Sequence, residues 1–466
     1  MRSNFKPFVL GLLLVAFMTQ PAVMAWQGQS AGTAPASKQA SKQAAKPAAA
    51  LTAAEREYGS RVKTQTIRET TTALAAREME GRGTATPGGE RAARYIADRF
   101  AQLGLKPLGE SGTYLQPIKF ESQQLLPETS FKAGDQQLAF GPDYVISPPF
   151  TSEKVDAEGE LVFISYGVVA TSLNRDDLAG LDLKGKVVVA LTRPPANVDK
   201  AVWEKVASPQ MIFGGLIGRG IAGVILADVG SENEPYSLIS NYLSRRQIQP
   251  AGQKGLPFKL PPILIISDGG AEKLFAGTGT TYAEAKAKAA AGEKSSRALG
   301  KQAAINIRVK REESVGSNVA GLLEGSDAKL KEEAVVYTAH YDAYGLGTKG
   351  EVYAGAADNA LGVAQIVAIA EAFARAPKRP RRSIIFLAVT GEEHGLLGAT
   401  HWVNHPTWPV EKVAANINYD GIGTEVYGPV KNVVGFGAEH STLGAIFESV
   451  VVGMGNRVMA DPMPEE

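Results

Sequence analysis

The hydrophobic pattern is most regular between residues 334 and 420, where short apolar runs alternate with helical repeats. The runs are Ala334–Ala339, Ser383–Val389 and Ala414–Tyr419. Short, β-rich apolar runs of this kind suit strands that are covered on both faces of a parallel sheet. Between the first two runs, apolar residues recur at helical spacing from Val363 to Phe373. This order of strands and helices predicts an α/β fold with a doubly wound, mostly parallel sheet.

Acidic residues follow all three runs, and a histidine follows the first. Together with an aspartate that opens the intervening helix, they are His340, Asp342, Asp358, Glu392, Glu393 and Asp420. Ligands of open α/β sheets bind beyond the carboxyl ends of the strands, so we expect these side chains to meet at one edge. So many carboxylates repel one another unless cations neutralise them. Mixed histidine and carboxylate ligation suits zinc, and several carboxylates per histidine suit a pair of ions.

Four motifs follow one another in this segment. They are His340-x-Asp342, Gly355–Asn359, Gly391–Gly398 and Asn418–Asp420. In this order and spacing they resemble the family of co-catalytic di-zinc aminopeptidases, which includes secreted bacterial leucyl-type aminopeptidases and glutamate carboxypeptidase II. The resemblance implies an exported metallo-exopeptidase that removes N-terminal residues from peptides. It also implies two Zn²⁺ ions per complete catalytic domain.

The resemblance further implies a role for each residue. The implied metal ligands are His340, Asp358, Glu393 and Asp420. Asp358 would bridge both ions, His340 and Asp420 would complete one site, and Glu393 would bind the other ion. The implied catalytic residues are Glu392, as the general base, and Asp342, which would orient the imidazole of His340. A cis peptide bond between Asp358 and Asn359 is implied as well.

Other histidines offer weaker candidates. Members of this family carry one more histidine ligand well after the position of Asp420, but here only His440 follows, in an ordinary strand-to-helix connection. We therefore interpret His440 as a surface or capping residue and expect the sequence to be C-terminally incomplete. His401 and His405 have the i, i+4 spacing of a helical metal site, yet no glutamate follows His401, as the metalloprotease signature requires. For His394, packing or solvent contact is the interpretation.

The rest of the chain divides by composition. Residues 1–25 have the basic start and apolar stretch of a signal peptide, and 26–52 are predicted to be a disordered linker. Residues 53–129 and 302–466 are assigned to the zinc peptidase domain. Residues 130–301 contain short β-like runs between Gly- and Pro-rich turns, and Asp177–Val189 is similar to the protease-associated domain. Whether this inserted domain is an inert spacer or a substrate-selecting lid stays open.

The composition excludes some classes of binding partner, and two alternatives for the function stay open. The formal net charge is +1 without a basic block, which argues against nucleic acid. The chain has no cysteine, which excludes disulfides and lipid attachment through cysteine. We expect a peptide with a free N-terminus as substrate, no membrane contact after signal cleavage, and a periplasmic or extracellular location. A carboxypeptidase-like or amidohydrolase member of the family and a non-catalytic binding protein on this fold stay open, as does the oligomeric state.

Overall fold

The structure is a computed structural model that describes residues 51–148, 152–231, 235–252, 260–347, 350–421, 423 and 431–461. The predicted signal peptide and nearly all of the predicted linker lie outside these residues. The described α-helices are α1 (Ala53–Ser60), α2 (Thr64–Leu74), α3 (Pro87–Gln102), α4 (Lys200–Val206), α5 (Pro209–Gly218), α6 (Tyr236–Leu243), α7 (Asp268–Phe275), α8 (Tyr282–Ala291), α9 (Leu361–Ala374), α10 (Leu397–Asn404) and α11 (Leu443–Gly453).

The described strands are numbered in chain order, as the helices are. They are β1 (Lys106–Pro107), β2 (Leu115–Leu125), β3 (Ser130–Ala133), β4 (Gln136–Leu138), β5 (Tyr144–Ile146), β6 (Lys154–Phe163), β7 (Val169–Ala170), β8 (Arg175–Asp176), β9 (Val187–Leu191), β10 (Gly223–Ala227), β11 (Gln247–Pro250), β12 (Ile263–Ile266), β13 (Arg297–Leu323), β14 (Ala334–His340), β15 (Gly345–Leu346), β16 (Val352–Tyr353), β17 (Ser383–Val389), β18 (Val413–Asn418), β19 (Asn432–Val434) and β20 (Arg457–Met459).

The chain separates into two compact units. The main unit comprises the described parts of Ala34–Phe120 and Glu313–Glu466, with Ile248–Ala251, and the inserted unit comprises Glu121–Gln247 and Gly252–Glu312. The two units are defined by the contacts between residues within the structure. The assignment of the inserted unit to a protease-associated domain stays a prediction.

The sheet of the main unit is mixed but mostly parallel around its centre. Its central strands have the order β18-β14-β17-β13, in which β14 runs parallel to both β17 and β18 while β13 is antiparallel to β17. The register aligns His340 with Val389 and Thr338 with Asn418. The carboxyl ends of all three parallel strands therefore lie at one edge, and the predicted fold class is confirmed.

Helices cover both faces of this sheet. On one face, α2, α3 and α9 pack against strand residues such as Phe386, and on the other face Trp402 of α10 packs against Ile385. α3 begins where Thr86 accepts a hydrogen bond from the backbone N–H of Gly89, with Pro87 at the first helical position. Its buried stripe of Ala93, Ile96 and Phe100 then faces the sheet.

Helix α9 is apolar apart from Gln365 and Glu371 because it lies inside the main unit. With the turn before it, Ala356–Ala374 is long and apolar enough to cross a membrane by length and composition alone, but 61% of that stretch is buried within the protein. Packing of α9 against α2 and β14 accounts for this burial. Its apolar surface is therefore that of a core helix.

The inserted unit has a parallel sheet of its own. Strands β6, β9, β10 and β12 run parallel in this order, and β5 adds an antiparallel edge. One core lies between this sheet and helices α7 and α8, where Phe163, Phe275 and Tyr282 meet. The apolar runs of the sequence give strands β9, β10 and β12 here because a fully covered strand needs no alternating pattern.

Strand β13 is longer than either of the two apolar runs that it contains. The runs Ile305–Val309 and Asn318–Leu323 both lie within this single strand of 27 residues. The stretch between the runs is polar apart from Gly316 and the exposed Val315, yet its backbone remains extended. Polarity alone therefore does not end a strand.

Candidate metal centre

His340 is the buried centre of the candidate site. It is the last residue of β14 and only 2% exposed. Its Nε2 atom is enclosed and has no hydrogen-bond partner among the described residues. A buried polar nitrogen without a partner is rare, because it loses water without gaining a replacement.

Three carboxylates face this nitrogen. The distances from His340 Nε2 are 3.1 Å to Asp358 Oδ1, 3.5 Å to Asp420 Oδ2 and 3.7 Å to Glu392 Oε2. Two groups of side chains bring their ligand atoms within 4.8 Å of one another: His340 with Asp358 and Asp420, and His340 with Glu392 and Glu393. The structure thus gathers the predicted residues at one edge, with the side chain of Asp358 62% exposed.

Asp342 lies beneath this group and is completely buried. Its carboxylate accepts hydrogen bonds from the backbone N–H groups of Glu392, at 3.2 Å, and Glu393, at 3.3 Å. The hydroxyl of Thr84 donates a third, at 2.9 Å. His340 Nδ1 lies 3.2 Å from the backbone carbonyl oxygen of Asp342 and 3.7 Å from its carboxylate. Asp342 therefore holds the turn of the two glutamates as well as the imidazole.

Asn359 connects the two exposed aspartates through the backbone. Its side-chain amide donates to the carbonyl of Tyr419 at 2.8 Å, and its side-chain oxygen accepts from the N–H of Gly362 at 2.9 Å. Asp358 and Asp420, which neighbour these groups, are thereby kept on the same side of the site. The peptide bond between Asp358 and Asn359 is cis, in agreement with the expectation.

The electrostatics show a surplus of negative charge. Burial raises the pKa of Glu392 to about 7 and that of Glu393 to about 8, and the neighbouring carboxylates add to both shifts. Burial lowers the pKa of His340, but the carboxylates of Asp342, Asp358 and Asp420 outweigh it and raise this pKa well above the usual value. The pKa of Asp342 is lowered because, although burial opposes it, the nearby His340 favours the ionised carboxylate. Such a set of groups favours a bound cation.

Sequence reasoning missed two residues of this region. Arg82 and Thr84 belong to the Gly81–Gly89 stretch, which reads as a plain glycine-rich turn, yet both are buried beside the site. Thr84 contacts Asp342, and Arg82 contacts the backbone of the two segments that carry Asp342 and Asp358. No local pattern in the sequence distinguishes either residue from the rest of the turn.

The remaining histidines are not part of either group of candidate ligands among the described residues. His401 and His405 stack on each other with ring centroids 4.5 Å apart, beyond the turn of the glutamates. His394 is half-buried close enough to Asp342 to influence its pKa, and His440 is exposed. Their interpretation as non-ligands stays a prediction.

Comparison with known proteins shows that part of the chain matches a protein family. Residues 318–466 match the sequence model of "Peptidase family M28". Two solved structures share the fold: an aminopeptidase from Aneurinibacillus sp. strain AM-1, with 19% identity, a TM-score of 0.50 and coverage of 79% of this chain and 73% of that one, and a peptidase M28 precursor from Shewanella amazonensis SB2B, with 16% identity, a TM-score of 0.51 and coverage of 87% and 81%.

A curated relative corrects the predicted location. The vacuolar membrane protease of Lodderomyces elongisporus is 31% identical over 107 residues, which are 23% of this chain and 10% of that protein. The chain thus spans about a tenth of the length of this relative, and vacuolar membrane proteases of other yeasts match over the same length. The prediction of a periplasmic or extracellular location is wrong, because the name of these relatives places them at a vacuolar membrane.

Five of the six site residues lie at or within four residues after the carboxyl ends of strands β14, β17 and β18, and all six lie within the matched segment. The predicted resemblance is confirmed for this segment, which matches a family of peptidases. The segment that carries the site, residues 318–466, is thus similar to peptidase family M28.

Proposed function

We propose that the protein is a zinc-dependent aminopeptidase that removes N-terminal residues from peptides. The observation that carries the proposal is the buried Nε2 of His340, which has no hydrogen-bond partner among the described residues and faces three carboxylates. A buried imidazole nitrogen that faces carboxylates and has no hydrogen-bond partner is suited to bind a metal ion. The family match and the fold shared with a solved aminopeptidase support this choice.

The residues present fit a pair of zinc ions. His340, Asp358 and Asp420, whose ligand atoms lie together, would hold one ion. Asp358 and Glu393 would hold the other, an assignment that rests on the resemblance to the di-zinc aminopeptidases, so that Asp358 is shared. A carboxylate shared between two ions is typical of co-catalytic sites. The chemistry that zinc supplies when bound is Lewis acidity, which polarises the scissile carbonyl and makes a water molecule more acidic.

Asp342 prepares His340 for this role. The Nδ1 atom of His340 faces the carbonyl and the carboxylate of Asp342, both of which only accept hydrogen bonds. The proton of a neutral imidazole is therefore held on Nδ1, and Nε2 keeps its lone pair for the ion. This division of the two ring nitrogens is the usual effect of a carboxylate behind a histidine ligand.

Glu392 would act as the general base. Its carboxylate is half-buried and lies 3.7 Å from His340 Nε2, and its backbone N–H is fixed by Asp342. Gly391, with φ +69°, lets the chain turn at this point so that Glu392 and Glu393 leave the strand in different directions. From this position Glu392 would take a proton from the attacking water and deliver it to the amine that leaves.

We also propose a domain type for the inserted unit and a class of substrate. We assign 130–301 to a protease-associated domain on the sequence similarity at Asp177–Val189. A peptide with a free N-terminus is the proposed substrate because the structural neighbour is an aminopeptidase.

The test compares two kinds of substrate on one preparation. Amino-acid anilides and N-blocked peptides are assayed with the zinc-loaded protein, and again after chelation and after zinc is restored. We expect hydrolysis of the anilides alone, loss on chelation and recovery with zinc. Cleavage of N-blocked peptides at their carboxyl end would favour a carboxypeptidase-like activity, and zinc binding without hydrolysis of either kind would favour a binding protein.

A further inference from the structure

Arg82 is a buried cation at the end of the short, kinked 3-10 helix Arg77–Arg82. Its side chain is 0% exposed, and no described residue forms an ion pair with it. Enclosing a charged group without a carboxylate in contact is costly, and proteins retain such groups where their hydrogen bonds are needed. The contacts of Arg82 show what they are needed for.

The guanidinium donates four hydrogen bonds, all to backbone carbonyls. Nε donates to Tyr341 at 2.6 Å, Nη1 to Ala354 at 2.7 Å and Nη2 to Gly355 at 2.7 Å. Nη1 also donates to Leu74, the last residue of α2, at 2.6 Å. A guanidinium has five N–H groups in a rigid plane, so four of the five are used.

Three of these carbonyls belong to the segments that carry candidate ligands. Tyr341 lies between His340 and Asp342, and Gly355 begins the turn that leads to Asp358. The contact is close, since a Cβ atom at Gly355 would lie only 2.7 Å from Nη2 of Arg82. One side chain therefore sets the separation between the segment of His340 and that of Asp358.

The charge of Arg82 acts in the same place. Burial lowers its pKa to about 10, and the negative charges of Asp342, Asp358 and Glu393 oppose that change. Arg82 therefore stays cationic at neutral pH and offsets part of the repulsion among the site carboxylates.

We propose that Arg82 is a positioning residue of the metal centre. Its planar guanidinium connects the backbone of 340–342 to that of 354–358. It thereby holds His340 and Asp358 at the spacing that they need to bind one ion together. The proposal rests on the proposed zinc function. It assigns no contact with substrate or water to Arg82.

Two substitutions distinguish the effect of the guanidinium hydrogen bonds of Arg82 from the effect of its positive charge. Arg82→Lys keeps the positive charge but has three donors on one atom and does not reach all four carbonyls. Arg82→Met removes charge and donors at similar volume. The matched control is Ser383→Ala, because Ser383 is also buried, bonds the backbone of Gly325 and Lys331, and begins strand β17 at the end away from the site.

The measurement is the zinc dissociation constant, taken by competition with a chromogenic chelator at a temperature at which circular dichroism shows each protein folded. We expect Arg82→Lys to weaken zinc binding by about tenfold and Arg82→Met by about 100-fold, the range known for residues behind metal ligands. Ser383→Ala should lower the thermal midpoint and leave the constant unchanged.

Other results have distinct meanings. Wild-type affinity in a folded Arg82→Lys protein would overturn the proposal, as would failure of both Arg82 variants to fold, because Arg82 would then serve the fold alone. An equal loss in Ser383→Ala would overturn it too, since zinc affinity would simply follow stability. If the wild-type protein itself binds no zinc, the proposed function fails first.

Discussion

Both units place charged residues at the carboxyl ends of parallel strands, but they neutralise them differently. In the inserted unit, Asp228 follows β10 and forms ion pairs with Arg193 and Lys286. In the main unit, Asp358, Asp420 and Glu392 pair only with the single imidazole of His340 within the described residues. An acid at a strand end is therefore no sign of a metal site by itself. The sign is an acid cluster whose carboxylates form no contact ion pair with a lysine or arginine among the described residues.

The largest expected effect comes from removing Asp358, the carboxylate that we propose is shared between the two ions. Asp358→Ala should empty both ion positions and reduce peptidase activity to background, because each ion loses a ligand. More than half of the Asp358 side chain is exposed, at 62%, so little packing is lost. Metal analysis of the dialysed variant checks this, and a zinc content equal to that of the wild type would show that Asp358 is no ligand.

A smaller effect is expected where the proposed base is removed and the ligands stay. Glu392→Gln has nearly the same shape but accepts no proton, so kcat should fall by about two to four orders of magnitude while zinc content and thermal midpoint hold. Near-normal turnover with zinc bound would contradict the assignment of Glu392.

The smallest effect on chemistry is expected in the inserted unit. Asp228→Asn leaves Arg193 and Lys286 without their carboxylate and should cost about 1–3 kcal/mol of stability, the usual penalty for a broken charged hydrogen bond. Zinc content and kcat should not change. Denaturant unfolding together with metal analysis tests this, and a loss of zinc would break the contrast between the units.

Local patterns made much of this predictable. Strands β14, β17 and β18 begin and end within about a residue of the apolar runs, and their acidic ends meet because parallel strands share a direction. Contacts distant in sequence were not predictable. Arg82 reaches Tyr341 across 259 positions, and nothing in a glycine-rich turn announces a buried guanidinium.

The contribution of Asp342 was also only partly predictable. Its position two residues after His340 suggests a carboxylate behind the imidazole. In the structure that carboxylate is nearer to the N–H groups of Glu392 and Glu393, while the backbone oxygen of Asp342 lies nearest to His340 Nδ1. Side-chain direction after a strand depends on the turn that follows, and the turn is formed by residues far along the chain.

The most direct test of the central claim is an anomalous-difference map at the zinc absorption edge from crystals of the zinc-loaded protein. We expect two peaks about 3.5–4 Å apart with Asp358 between them, one beside His340 and Asp420 and the other beside Glu393. A single peak would contradict the shared-ion arrangement. Zinc bound at His401 and His405, with none beside His340, would contradict the metal centre itself.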